Sequence, residues 1–146
     1  MWATLSTPRC QKAIRLTRLA CRRLGSPYVS SGHLLLGLLL ERGGIAEILT
    51  KAGLTAELVT EHLRTVADWP EQTNQEDGMI VGRSATLAFE RAQAEASKGR
   101  PPETRIHFVG LRHLVLALLD EDSGVAADIL NHHEVYRDDL RQAFAY

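Results

Sequence analysis

The sequence predicts an all-α fold: an eight-helix, pseudo-twofold array of two four-helix repeats. Three observations predict it. Residues 28–41 and 108–121 follow one pattern, an aromatic residue and a Val leading to a His that opens a leucine-rich run, with His33 and His113 80 positions apart. Each run is followed by a Gly and a short amphipathic stretch, Gly44-Ile-Ala-Glu-Ile-Leu and Gly124-Val-Ala-Ala-Asp-Ile-Leu. No segment alternates as a half-buried strand does, except 105–109. A repeat this long is a small bundle and not a solenoid unit. The 146 residues suffice for one domain with a real core, read as repeat one over 1–67, a linker over 68–78 and repeat two over 79–146.

The elements follow in order. Thr7 caps the first helix and Pro8 suits its first position. Cys10, Ala13, Ile14, Thr17, Ala20, Cys21 and Leu24 recur at helical spacing and form its inner face. Gly25 stops it and Ser26-Pro27 turns the chain. Ser31 is read as the cap of a second helix running to about Arg42, apolar nearly all round and therefore central. Gly43-Gly44 breaks it. A third helix covers about 45–52, and Thr55 caps a fourth with Leu58, Val59, His62, Leu63 and Val66 inward. The linker is polar and contains Pro70. The second repeat places helices over about 82–98, 111–121, 125–132 and 136–145. An offset of 74 at the first helix against 80 at the histidines gives the second copy six extra residues in the loop 99–110.

Composition narrows the function. Hydrophobic residues make up 45% and the net charge is −1, so nothing global points to nucleic acid or a membrane. The run from Leu34 to Leu40 is far too short to span a bilayer. Cations at Arg9, Lys12, Arg15 and Arg18 interrupt any signal-peptide pattern, so a cytoplasmic setting is expected. Cys10 and Cys21 lie about 16 Å apart on one helix, too far to bridge, and read as core thiols. His33 and His113 have no second ligand at metal spacing and are read as bonding nearby backbone. His132 and His133 are neighbours expected to point apart. No convergent catalytic set, metal site or cofactor site emerges.

Charge patterning is more informative. Residues 1–40 hold six cations and no acid. Lys12, Arg15, Arg18 and Arg22 share one outer face of the first helix, either a solvated face or a dock for an acidic segment. Trp2 and Met79 precede the first helix of each repeat, where they either staple the helix start or line the seam between copies.

These residues resemble the N-terminal domain of Clp/Hsp100 ATPases, nearest to the C-type unfoldase branch. The resemblance rests on the capped helix, Tyr/Phe-Val, the His-Leu-Leu-Leu-Gly-Leu-Leu run and Gly-Ile/Val-Ala, in both copies. It implies a non-enzymatic module that recruits substrates or adaptor proteins to an ATP-dependent unfoldase–protease. No phosphate loop follows, so the chain is either a fragment of such an unfoldase or a free-standing regulator competing for its adaptors; an enzyme on a helical scaffold is the reading of another class. In phosphoarginine-recognising relatives, a Glu before the His holds the guanidinium and the start of the first helix holds the phosphate. Here Gly32 and Arg112 stand at the Glu positions, Thr7 is kept, and Val81 is read as replacing the second Thr. The resemblance and the seam together nominate Trp2, Thr7, Pro8, Gly32, Met79, Val81, Gly82 and Arg112 as peptide- or adaptor-binding residues. The expected partners are proteins with acidic or phosphorylated segments.

Overall fold

Thr7 has extended backbone, and its hydroxyl accepts the Cys10 N–H at 3.3 Å; Pro8 then opens α1, Pro8–Arg23. The computed structural model describes residues 2–65, 71–100, 107–122 and 124–144. A 3₁₀ turn over Ala3–Leu5 precedes α1. The first repeat continues with α2 (Ser31–Leu40), α3 (Gly44–Lys51) and α4 (Ala56–Thr65). The second contains α5 (Arg83–Ser97), α6 (Leu111–Leu119), α7 (Val125–His132) and α8 (Arg137–Phe144).

Between the repeats the structure departs from the sequence reading. Part of the expected linker is a β-hairpin, β1 (Thr73–Glu76) antiparallel to β2 (Met79–Gly82). Its two-residue turn is Asp77-Gly78, both at positive φ (51° and 78°), the backbone that Asp-Gly supplies in hairpins. The polar residues of β1 hid the strand from an alternation test. The segment nominated as a strand, 105–109, contributes only an isolated bridge from Val109 to Ser6; its residues 105 and 106 lie outside the described ones.

Two parallel bridges set the symmetry. Thr7 N–H bonds Val109 O and Val109 N–H bonds Leu5 O; equivalently, Gly82 N–H bonds Val29 O and Val29 N–H bonds Ile80 O. Each copy's first helix is thus tied to the other copy's histidine segment. These bonds equate Thr7 with Gly82, an offset of 75 and not 74. The longer loop therefore gains five residues and not six. The residue matching Thr7 is Gly82, and Val81 lies one position before it.

α2 and α6 form the centre. Leu34, Leu35 and Leu38 from α2 and Leu114 and Leu118 from α6 are fully buried in one apolar cluster that runs through both copies. Burial of this many aliphatic side chains, each contributing about 1.5–3 kcal/mol, is what stabilises so aromatic-poor a core. The crossing of α1 on α2 requires Gly37, because a Cβ there would meet Thr17 Oγ1 at 1.9 Å and Ala13 O at 2.6 Å. The second copy solves the same crossing differently: Ala117 replaces Gly37, and Ala92 replaces Thr17.

Some boundaries shift. Ser30, not Ser31, is the N-cap of α2, which ends at Leu40. Arg42 follows at φ 62°. Leu58, expected inward, is exposed, while Val59 beside it is fully buried. Val66 and Ala145, read as helical, lie outside the described residues.

Candidate functional site: a groove at the start of the first helix

The helix starts are brought together across the copies, not within them. Thr7 and Pro8 at the start of α1 adjoin Leu111 and Arg112 at the start of α6, Gly44, Ile45 and Ile48 of α3, and the end of α8. They enclose a groove of about 540 Å³. Its floor includes the partly buried Ile45 and Ile48 together with Leu111 and Phe144. Three helix N-termini face this region, where unsatisfied N–H groups and the helix dipoles favour negative charge. Arg112 is exposed on the rim. Arg9 is tied down, its Nε donating to Glu41 Oε1 at 3.0 Å. Gly43 lets this pair form, since a Cβ there would sit 1.9 Å from the guanidinium.

The pseudo-twofold counterpart of this groove is filled. Glu71 covers the start of α5, accepting the Ser84 N–H at 2.6 Å and the Ser84 hydroxyl at 3.1 Å. Ser84 Oγ in turn accepts the Ser31 N–H at 3.0 Å. Gly32 packs so tightly that a Cβ would meet Val125 at 2.6 Å and Leu63 at 2.9 Å. A Cβ on Gly82 would meet the Tyr28 ring at 2.8 Å and Glu71 at 2.9 Å. The start of α7 is closed as well: Ala126 N–H bonds Ser31 Oγ at 3.0 Å, and Ala127 N–H bonds the buried Glu121 at 2.8 Å. Ser31 completes the set by donating to Glu121 at 3.1 Å. Burial pushes the Glu121 carboxyl up, opposed by these hydrogen bonds.

The residues nominated from sequence therefore separate. Thr7, Pro8 and Arg112 share the open groove. Gly32 and Gly82 lie in the closed counterpart. Trp2, Met79 and Val81 are buried; Trp2 stacks on Phe89 with centroids 4.8 Å apart, so it is core and not a seam surface. Lys12, Arg15 and Arg22 are exposed and Arg18 is half-buried along the outer face of α1. None of the four pairs with a carboxylate among the described residues. Arg18 and Arg22 border a small cleft of about 200 Å³ beside Met79. Sequence reasoning missed Ile45 and Ile48, whose i,i+3 spacing was a usable signal. It also missed Glu71 and Phe144, for which no local signal existed.

His33 and His113 each bond the backbone at the start of a central helix. His33 Nδ1 accepts the Ser30 N–H at 3.0 Å, and its Nε2 lies 2.9 Å from Ser26 Oγ. Burial lowers its pKa to about 4. His113 Nδ1 likewise accepts the Gly110 N–H at 2.9 Å, with its pKa lowered by burial and then by Arg112. Contrary to expectation, His132 and His133 do not diverge: their ring centroids are 5.0 Å apart, and 5.2 and 5.7 Å from His62, which bonds Asp128 at 3.0 Å. No group of three or more His, Cys, Asp or Glu among the described residues is arranged to hold a metal ion. Nor is any helix among them long and apolar enough to cross a membrane. Cys10 and Cys21 are free and buried.

A duplicated helical unit, tied across its copies and carrying one open groove at paired helix starts, defines a class of two-repeat helical domains. The sequence pattern of the Clp repeat (R) N-terminal domain matches residues 5–100, and the chain belongs to that family. It is 32% identical to the chaperone protein ClpB of Oceanobacillus iheyensis over 137 residues, 93% of this chain and 16% of that protein. It is 31% identical to the negative regulator of genetic competence ClpC/MecB of Bacillus subtilis, again over 93% of this chain and 16% of that protein. The chain thus spans 16% of the length of these relatives. The N-terminal domain of the chaperone ClpD from Arabidopsis thaliana shares the fold, with a TM-score of 0.72 at 23% identity over 98% of this chain and 96% of that one. So does the Hsp104 N-terminal domain of Candida albicans, with a TM-score of 0.72 at 16% identity over 95% and 88%.

Proposed function

We propose that this chain is a non-enzymatic protein-binding module that recruits substrates or adaptor proteins to a Clp-type unfoldase–protease. The open groove between the starts of α1, α3 and α6 carries this reading. It joins an apolar floor to three helix N-termini, which suits a segment with an aliphatic side chain and an acidic or phosphorylated group. The unpaired cations of α1 add a field of the same sign. The buried free cysteines fit a reducing, cytoplasmic setting.

The test is a pulldown with the full chain, repeated with Ile48→Ser in the groove and with Arg15→Glu/Arg18→Glu on α1. Partners that use the groove are lost with Ile48→Ser. The α1 reversal slows their association and flattens its salt dependence. A partner set unchanged by both variants sinks this assignment of the surface. Stoichiometric ATP binding, measured by calorimetry and competed by ADP, sinks the reading of a module without its own nucleotide chemistry.

A further inference from the structure

A second groove lies between α1, α2 and α4. It encloses about 420 Å³. Leucines make its floor: Leu16 and Leu19 from α1, Leu36 and Leu40 from α2. Leu19 is 47% exposed and adjoins the half-buried Leu16, Leu24 and Leu40, so the apolar surface is a contiguous patch and not a lone leucine. Three arginines, Arg23, Arg42 and Arg64, stand around the leucines. Arg64 shares its charge with Glu61 at 3.0 Å. Arg23 and Arg42 have no carboxylate partner among the described residues.

The second copy serves as an internal control. The symmetry set by the two bridges equates Leu16 with Arg91, Leu19 with Ala94, Leu40 with Asp120 and Arg42 with Asp122. At that place the charges are balanced by ion pairs, Arg141 with Asp120 at 2.8 Å and Lys98 with Glu95 at 3.0 Å. The same fold is therefore built with only one of the four floor leucines kept, Leu116 in place of Leu36, and with Lys98, paired to Glu95, and Asp122 in place of Arg23 and Arg42. Neither feature is a requirement of the architecture, and together they describe a binding surface.

We propose that this α1–α2–α4 groove docks an acidic amphipathic segment of a partner protein, its aliphatic side chains on the leucine floor and its carboxylates against Arg23 and Arg42. Charge selects the occupant. A purely apolar segment leaves both cations without counter-charge, and a second copy of this groove brings like charges together. A nucleic acid uses the arginines but finds no stacking platform among the leucines. This inference shares with the preceding section only that the chain binds protein. It concerns a different surface, and the seam variant Ile48→Ser separates the two.

The probe is a fluorescein-labelled synthetic peptide with two leucines among glutamates and aspartates, titrated with the full chain by fluorescence anisotropy. Binding is expected to weaken at higher salt. It is expected to fall roughly tenfold or more in Arg23→Glu/Arg42→Glu, where two attractions become repulsions. It is expected to fall severalfold in Leu19→Ser, and for a peptide whose leucines are replaced by serine. Ile48→Ser leaves it unchanged, and thermal melts confirm that each surface variant folds. Absence of binding at millimolar chain overturns the proposal, as does binding indifferent to the arginine reversal. Loss of binding in Ile48→Ser moves the probe to the seam groove and also overturns it. A concentration-dependent dimer abolished by Leu19→Ser would assign the groove to a second copy instead.

Discussion

At the start of α1 the seam groove is open; at the start of α5 the equivalent place is occupied by the chain itself. The two sites descend from one pattern, and each backbone bond that frames one has a partner in the other. What differs is side chains. On the open side, Arg9 pairs with Glu41, leaving the apolar surfaces of Ile45, Ile48 and Leu111 unfilled. On the closed side, Ser84 replaces Arg9, and the shorter residue admits Glu71 to the helix start. Ser31 replaces Leu111 and reaches the start of α7. Gly32 replaces Arg112 and lets α7 approach to van der Waals contact. Duplication supplied two potential anion-favouring helix starts, and polar satisfaction from within used up one. The lesson is that twofold symmetry of backbone does not imply two binding sites.

The sharpest way to break this comparison is to place the same carboxylate at position 32 and at its counterpart, 112. Gly32→Glu should cost more than about 3 kcal/mol, since it combines overpacking with an unpaired buried charge. Arg112→Glu, on the open rim, should change stability by less than about 0.5 kcal/mol. Urea unfolding of both variants checks this, and similar values for the two would mean the closed side is not closed. A consequence for ligand work is that a carboxylate can be restored at 112 but not at 32. Phosphoarginine should bind the unmodified chain weakly or not at all, because a charged hydrogen bond missing at Arg112 is worth about 1.5–3 kcal/mol. Calorimetry with phosphoarginine on wild type and Arg112→Glu tests it.

The central helices allow a finer contrast. Leu35 in α2 is fully buried, and Leu35→Ala should cost about 2–5 kcal/mol. Its near-counterpart in the other central helix, Leu116, is only partly buried, so Leu116→Ala should cost less, about 1–2 kcal/mol. Both lie in the repeated leucine-rich runs, whose sequence pattern does not distinguish their depth. Equal losses in urea unfolding would contradict the difference in burial.

Acidification should separate the two histidines. The folded-state pKa of His33 lies at about 4, below the ordinary value of 6.5. The unfolded chain therefore takes up that proton first. Stability is fully present above about pH 6.5 and is lost as the pH falls towards 4, by about 3 kcal/mol at most. Protonated Nδ1 can no longer accept the Ser30 N–H, which is the structural form of that loss. His113 is shifted in the same direction but is half-exposed, so its contribution is smaller. Unfolding free energies measured from pH 7.5 to 4.5 should fall less steeply in His33→Asn than in the wild type, and parallel curves would exclude His33 as the source.

Within the closed site, the smallest expected effect is at its plug. Glu71→Gln keeps the size but removes the charge facing the α5 dipole, and should cost about 0.3–1 kcal/mol. No measurable change in thermal midpoint would mean that a neutral acceptor at position 71 satisfies the Ser84 N–H as well as the carboxylate does.

Much of this was legible in the chain. The duplication, the helix order, the Thr7-Pro8 start, the buried face of α1 and the central position of α2 all follow from period and capping, which depend on neighbours three or four residues apart. The hairpin was missed because Asp77-Gly78 is a turn signal that outweighs the lack of alternation in Thr73–Glu76. The one-residue error in offset came from matching Ala20 to Ala94. Only the burial pattern and the bridges show that Ala20 pairs in register with Glu95.

The sequence by itself determined that two four-helix units exist, that they are related, and that cations collect at one end of the chain without acids. Those are properties of composition and spacing. Tertiary structure decided which helix start meets which, and so which site is open. Thr7 and Arg112 adjoin because the α1 segment bonds Val109 of the other copy, a contact set by long-range backbone pairing. Glu71 reaches Ser84 because the hairpin folds the chain back between them. Trp2 is buried on Phe89 and is not presented at a seam, since an aromatic ring finds more apolar area in the core than at the surface. Each of these outcomes depends on which side chain fills a shared space first, and periodicity along one chain carries no record of that competition.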